Sequence, residues 1–429
     1  MECIRLTHIT VERNSVTYEY KVTLGLEKFF NMSTSLRVIY TEQGEPMSLE
    51  SVPESVLVVP FVSNVLPIIW LTDSRLELPE LDKDFYECIP NVKKGYEAMF
   101  PESVFAGEVC PEKIVENASQ GDGCAALFSG GLDATQTLIS HLEENPHLIS
   151  IWGSDIRFDN EDGWKAVHDG IAETAQRFDL PDVVIRSSFR EFDNEGVLHT
   201  EFLEQLKDSW WHGVKHALGL LGHVAPYAFV KGLSTVYIAS SNCPADGAVR
   251  CASNPTTDNH VRYAGCQVVH DGFNFSRQDK THNVVSFSKN TGKRITLHAC
   301  WQSQSGGNCC HCEKCYRTMA AIIAEGADPV DFGFFETKKT LPDMQRYIVD
   351  GKALSAHLAQ HHWKHIQNRI FRNRDGLRKT EYWRHISWIA GADFENHEKI
   401  KMPFKYRVKK KLATYRFYQE LSRIKGKLK

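Results

Sequence analysis

The chain has no run of apolar residues long enough to cross a bilayer. Its most apolar stretch, VLVVPFVSNVLPIIWL from Val56 to Leu71, is short and interrupted by Pro60, Ser63, Asn64 and Pro67, so it reads as buried strands. The amino terminus, MECIRLTHITVERN, has no apolar segment behind a basic start, so no secretory signal is read and a cytoplasmic location is expected. Low-complexity tracts and internal repeats are missing, which excludes a solenoid. Neither GxxxxGK[ST] nor a GxGxxG after a strand occurs, so the two commonest nucleotide fingerprints are excluded. His212 and His216 stand four apart, but no Glu follows His212 as HExxH requires, and they read as a packed or solvated pair.

What is present is a 429-residue chain with 42% hydrophobic residues, enough for two or three domains of soluble globular type. The net charge of -4 hides an asymmetry. Residues 361–429 hold 19 Lys and Arg against 6 Asp and Glu, so this tail carries +13 and residues 1–360 carry -17. Two readings stay open: a tail that meets an acidic or polyanionic partner, or a helical surface folded back on the acidic body. Twelve cysteines in a chain of this size, five of them within Cys300–Cys315, point to a metal rather than to disulfides.

Residues 1–115 read as a β-rich domain built from IRLTHITV, SVTYEYKVTL, SLRVIY and SVLVVPFV. From Gly123 the pattern becomes strand (CAALF), helix (Asp133–Leu142), strand (LISIW), helix (Trp164–Phe178), strand (VVIRS), a long helical stretch (Phe202–Phe229) and strand (TVYIASS). That alternation predicts an α/β fold with a parallel sheet flanked by helices over 116–335. The polar, glycine-dotted stretch 242–307 reads as a cover over substrate rather than scaffold, and 336–429 as a basic helical region.

ALFSGGLDATQT, Ala126–Thr137, stops an apolar strand at Ser129, Gly130 and Gly131 and restarts as a helix near Asp133. In a parallel sheet this is the carboxyl end of a strand, where ligands sit and a following helix points its free amides. Glycines let the main chain approach phosphate oxygens, and Ser129 adds a hydroxyl donor. Ser129, Gly130, Gly131, Leu132 and Asp133 resemble the SGGxD signature of the PP-loop ATP pyrophosphatases, which cut ATP between its α and β phosphates. Many members have Ser or Thr at both positions after the Asp; here these are Ala134 and Thr135, so one phosphate hydroxyl is missing.

HACWQSQSGGNCCHCEKC, His298–Cys315, offers Cys300, Cys309, Cys312 and Cys315 as a tetrahedral zinc set. The spacing C-x8-C-x2-C-x2-C resembles the zinc site of the 7-cyano-7-deazaguanine synthases, the QueC branch of that superfamily, in which the last ligands precede an arginine-bearing helix; Arg317 answers here. Cys310 competes as a ligand or stays free. A closed set of four thiolates implies a structural zinc.

The resemblance covers about Gly123–Phe332. It implies that ATP and Mg²⁺ activate a 7-carboxy-7-deazaguanine as an acyl adenylate, which an amine attacks in a carbon–nitrogen ligase reaction. Lys280, with Arg277 in SRQDKTHNV, matches the family's segment ahead of the zinc site and is the candidate phosphate contact, against the plain reading of a surface lysine. Asp133 holds Mg²⁺ or braces the loop. Gly153 and Ser154, after the second strand of the sheet, are candidates for adenosine, and Asp246, Arg250, Asp258 and Arg262 for a guanine-like edge and a carboxylate.

Chains of this branch with extended ends are similar to those of bacterial antiviral defence clusters such as Qat or a CBASS type, where the acceptor amine belongs to a protein instead of ammonia. The front domain and the tail Pro403–Lys429, with Val408, Leu412, Tyr415, Leu421 and Ile424 on one face, read as partner surfaces. A tRNA-modifying PP-loop enzyme gripping nucleic acid through the tail is the alternative, with Cys124 inside a strand counting against a thiolating member; a scaffold with a decayed loop is another.

Overall fold

The computed structural model describes residues 2–400 except 119–120, 301, 304–306, 336, 351–352 and 398–399. The tail surface Pro403–Lys429 lies outside the described residues. Two compact units emerge: Met1–Ser276 with Thr296–His298, and a second containing Arg277–Ile295, Ala299–Ser303 and the chain from Asn308 onward.

Among the described residues twelve strands form one sheet in the first unit. They are β1 (Cys3–Glu12), β2 (Ser15–Val22), β3 (Leu36–Glu42), β4 (Glu45–Pro46), β5 (Arg75–Asp82), β6 (Glu108–Val115), β7 (Gly123–Leu127), β8 (His147–Trp152), β9 (Asp182–Ser187), β10 (Leu233–Ala239), β11 (Arg262–Tyr263) and β12 (Cys266–Asp271). Their order is β11-β12-β10-β7-β8-β9-β3-β2-β1-β5-β6, with β4 paired to β3. β12, β10, β7, β8 and β9 are mutually parallel, and their near-continuous buried runs, such as Cys124–Ala126 and Val183–Ile185, are what a sheet covered on both faces demands. Because β8 and β9 lie to one side of β7 and β10 and β12 to the other, the winding reverses at β7. Open parallel sheets bind ligands at such a reversal, beyond the carboxyl ends of strands placed as β7 and β10 are here.

The first 115 residues were expected to stand apart, yet β3 pairs antiparallel with β9 from Val38↔Ser187 to Glu42↔Val183. An edge strand exposes unpaired amides, and β9 satisfies them by accepting β3, so the division falls near 276 and not at 115 or 335. Val56–Leu71 is not a pair of strands: Glu54–Leu57 and Val59–Thr72 are helices. The second helix is buried all round over Val59–Trp70, and a helix with no polar face has no 3.6-residue signature to read. Pro60 sits in its first turn, where a missing N–H costs nothing, and the Pro60 carbonyl accepts bonds from Ser63 Oγ and Asn64 Nδ2 at 3.0 and 2.8 Å. The stretch 242–307 is likewise scaffold in large part, since it supplies β12 and the helix Arg277–Thr291.

Fully buried His223 ties the sheet to the helix His216–His223: Ser187 Oγ lies 2.7 Å from its Nε2, and the Gly219 carbonyl binds its Nδ1. Burial, against the help of the Gly219 carbonyl, brings its pKa from 6.5 down to about 4. The folded chain keeps His223 neutral while the unfolded chain charges it, so its contribution is complete above 6.5 and is lost as the pH falls toward 4. At pH 5 the wild type should lose about 2 kcal/mol relative to a His223→Gln variant, read from urea midpoints at pH 7 and pH 5. Equal pH dependence of the two chains would refute this.

In the second unit, helices Glu313–Ala324 and Lys364–Arg372 pack through Met319, Ile322, Ile323, Ile366 and Ile370, with Glu325 taking Gln278 Nε2 at 2.6 Å and Arg369 Nε at 3.1 Å. Among the described residues no helix is long and apolar enough to cross a membrane.

Candidate functional site

The Ser-Gly-Gly turn leaves the carboxyl end of β7, where the strand order reverses. Gly130 has φ +71°, a conformation that L residues pay about 1–2 kcal/mol to enter. Its carbonyl accepts the His298 N–H at 2.7 Å, and a Cβ built at Gly130 would stand 3.3 Å from His298 Cβ. Gly131 is the N-cap of the helix Leu132–Ser140 and brings no side chain to its first amides. The Gly131 N–H meets Ser129 Oγ at 3.4 Å, and the nine-residue helix that follows starts with its positive end at this turn and no side-chain cap. Ser129 is exposed and Asp133 lies half-buried in the first helical turn. Thr135, two residues on, is 2% exposed, and its hydroxyl has no hydrogen-bond partner among the described residues. A buried unpaired hydroxyl costs about 1–3 kcal/mol, which a ligand oxygen would relieve.

The other candidates divide. Gly153 has φ +120°, and a Cβ there would lie 1.8 Å from the Ser187 carbonyl, so close packing of neighbouring strand ends accounts for the glycine. Ser154 donates to the Ile151 carbonyl at 3.2 Å, and its own carbonyl receives Arg190 Nη1 at 2.9 Å. Three of the four substrate candidates are engaged by other residues of the chain. Asp258 is buried against His270 Nδ1 at 2.8 Å, Arg250 pairs with Glu102, Asp246 accepts the Cys243 N–H at 2.7 Å, and Arg262 is exposed on β11. Lys280 belongs to the second unit, on Arg277–Thr291, and at 1% exposure it is not a plain surface lysine.

Cys300, Cys309, Cys312 and Cys315 converge, all four sulfurs lying within 4.8 Å of one another. Cys300–Cys312 and Cys309–Cys315 are each 3.9 Å apart, and a tetrahedron with Zn–S bonds of about 2.3 Å has edges of about 3.8 Å. This buried set is able to hold a zinc ion. Asn308 ties its distant member in place: Oδ1 accepts the N–H groups of Ala299 and Cys300 at 2.9 and 3.2 Å, and Nδ2 donates to the Gly333 carbonyl at 3.0 Å. Cys310 is outside the set, turned by a φ of +58° so that its thiol meets the Asn308 carbonyl at 3.5 Å. Cys312 caps the helix Glu313–Ala324, and the Cys315 thiol and N–H pull its pKa from 9.0 down to about 5. Arg317, in the same helix, pairs with Glu313 at 3.2 Å.

No family model, curated protein or solved structure matches this chain. The site therefore stands on its own geometry. Sequence reading also passed over a second group of reactive residues. His212 and His216 are not an idle pair: Asp208 Oδ2 lies 2.6 Å from His212 Nδ1, and Cys251 Sγ lies 4.0 Å from His216 Nε2. The spacing Asp208, His212, His216 was available as one helix face, but no local pattern brings Cys251 to it.

Proposed function

We propose that this chain is a PP-loop ATP-dependent ligase. It adenylates the carboxylate of a 7-deazaguanine, releases pyrophosphate, and transfers the acyl group to an amine, either ammonia or an amine of a partner protein. The observation that carries the reading is the uncapped, glycine-turned helix start at the carboxyl end of β7, where the sheet reverses its winding. A triphosphate suits this place because a helix start without a side-chain cap and the helix dipole favour oxyanions without charging the apo protein. The buried Thr135 hydroxyl supplies a donor that no described residue uses. Asp133 would hold Mg²⁺, whose charge offsets that developing on departing pyrophosphate. The cysteine quartet would hold a structural zinc, since four thiolates leave no open position for catalysis.

The test is incubation with ATP, Mg²⁺ and 7-carboxy-7-deazaguanine, with and without ammonium, followed by nucleotide chromatography and mass spectrometry. AMP and pyrophosphate with an amide or nitrile product, or with a heavier partner protein, support the reading; ADP, or no turnover with any such acid, defeats it. Gly130→Ala should weaken ATP binding roughly tenfold, since the αL strain falls on the turn that approaches the phosphates. Thr135→Val separates the roles more sharply. Losing a buried unpaired hydroxyl should raise stability by about 1 kcal/mol while weakening ATP binding roughly tenfold, measured by melting and by calorimetric titration. A variant that loses stability and binds ATP unchanged would show that Thr135 serves packing only.

A further inference from the structure

The group around Cys251 has the makings of a thiol nucleophile. Trp211–Lys215 is one turn of π-helix leading into the helix His216–His223, and such bulges displace side chains from regular helical register. His216 Nδ1 lies 3.1 Å from the Trp211 carbonyl, which can only accept, so Nδ1 carries the proton and Nε2 turns its lone pair toward Cys251 Sγ, 4.0 Å away. Asp208 holds the His212 ring at 2.6 Å, with the rings of His212 and His216 6.1 Å apart. The Ala252 N–H donates to the His212 carbonyl at 2.8 Å, clamping the cysteine segment against this turn.

The surroundings treat this thiol unlike its neighbours. Burial pushes Cys88 and Cys266 up to about 12. Burial acts in the same sense on Cys251, but the neighbouring imidazoles, His212 and then His216, outweigh it and bring the thiol down to about 6. Cys251 is 5% exposed, and the His212 ring of the same group is half-exposed. The group does not close into a metal cage, since among the described residues only the cysteine quartet has three or more converging ligands. It does connect to the sheet's carboxyl edge. Arg190 donates to the Ser154 carbonyl at 2.9 Å, lies 4.1 Å over the Trp211 ring, and that ring is 5.7 Å from His216.

We propose that Cys251 is an acyl-accepting nucleophile, with His216 as its base, that takes an acyl group from an activated donor and passes it to an amine. The Cys251 proton passes first to His216 Nε2, and the thiolate so formed attacks the carbonyl carbon. A C–S bond forms, and the bond to the leaving oxygen breaks with its electron pair. An amine then attacks the thioester, the C–N bond forms, the C–S bond breaks to return the thiolate, and the amine's proton is taken up by a base. Identifying the physiological donor as an acyl adenylate rests on the function proposed above; the nucleophile itself does not.

The probe that keeps them apart is p-nitrophenyl acetate, which needs no ATP. The wild-type chain should release p-nitrophenolate in a stoichiometric burst and carry acetyl on the Cys251 peptide, removable by hydroxylamine. Cys251→Ala should lose the burst, and His216→Gln should slow it by about 100-fold, as loss of a general base does. Wild-type peptide mapping that finds no acetyl on Cys251, or a His216→Gln variant labelled as fast as the wild type, overturns the proposal without requiring that any variant be well folded. Labelling by the ester with no AMP from ATP and any deazaguanine acid would support the nucleophile and defeat the adenylate reading.

Discussion

Cys312→Ser is expected to cost the second unit its metal and its cooperative melting, whereas Cys310→Ser changes neither. The two cysteines are two residues apart, but only Cys312 is in the quartet whose sulfurs lie within 4.8 Å of one another. Cys312 also starts the helix Glu313–Ala324, whose Tyr316, Met319, Ile322 and Ile323 form the centre of that unit's core. Binding of structural zinc contributes on the order of 10 kcal/mol to folding, about the whole stability of an ordinary domain. No rearrangement of this helix replaces that. Elemental analysis of the purified chain should give one zinc, and strong chelation should reproduce the Cys312→Ser melting curve. A wild-type chain without zinc that melts like both serine variants would refute the assignment.

Lys215→Met should destabilise the first unit by about 3–5 kcal/mol, because it strands a buried carboxylate. Lys215 Nζ meets Asp193 Oδ2 at 2.6 Å and the Phe189 carbonyl at 2.7 Å, and both charged side chains are 0% exposed. Burial raises the Asp193 pKa to about 6 even with the lysine there to oppose it. Without the lysine the carboxyl should titrate higher still, so protonation relieves part of the penalty and the deficit should be smaller at pH 5 than at pH 7. A Lys215→Met, Asp193→Leu double variant should recover much of the loss, since no charge is then stranded beside the lysine site, although the Phe189 carbonyl loses its donor and Glu195 a partner at 3.6 Å. Urea midpoints decide it, and a single variant within about 1 kcal/mol of the wild type, by the scale of a buried pair, would refute the prediction. The pair joins the turn after β9 to the π-helical turn that presents His212 and His216, so the double variant also tests whether the Cys251 group needs this brace.

Those features legible in the sequence are local. Ser129-Gly130-Gly131 was readable because a strand-to-helix turn with a positive φ needs glycine whatever surrounds it. The four zinc-type cysteines were readable because paired ligands turn around one ion at fixed short spacing. β7, β8, β9 and β10 announced themselves as apolar runs between helices, since a strand buried on both faces has no polar positions to spare. Val56–Leu71 failed for the same reason inverted: a helix buried all round offers no polar stripe by which to tell it from a strand.

The amino-acid sequence by itself determined the Ser-Gly-Gly turn, the cysteine quartet and the alternation of strand and helix, because each depends on residues close together along the chain. Tertiary structure alone decided that β3 docks on β9 and makes one sheet of two expected domains, that Asp258 and Arg250 pair elsewhere, and that Cys251 comes to His216 across 35 residues of chain. Such contacts follow from which edge is unpaired and which face is uncovered once the rest has assembled, and those are properties of the packed molecule that no short segment carries.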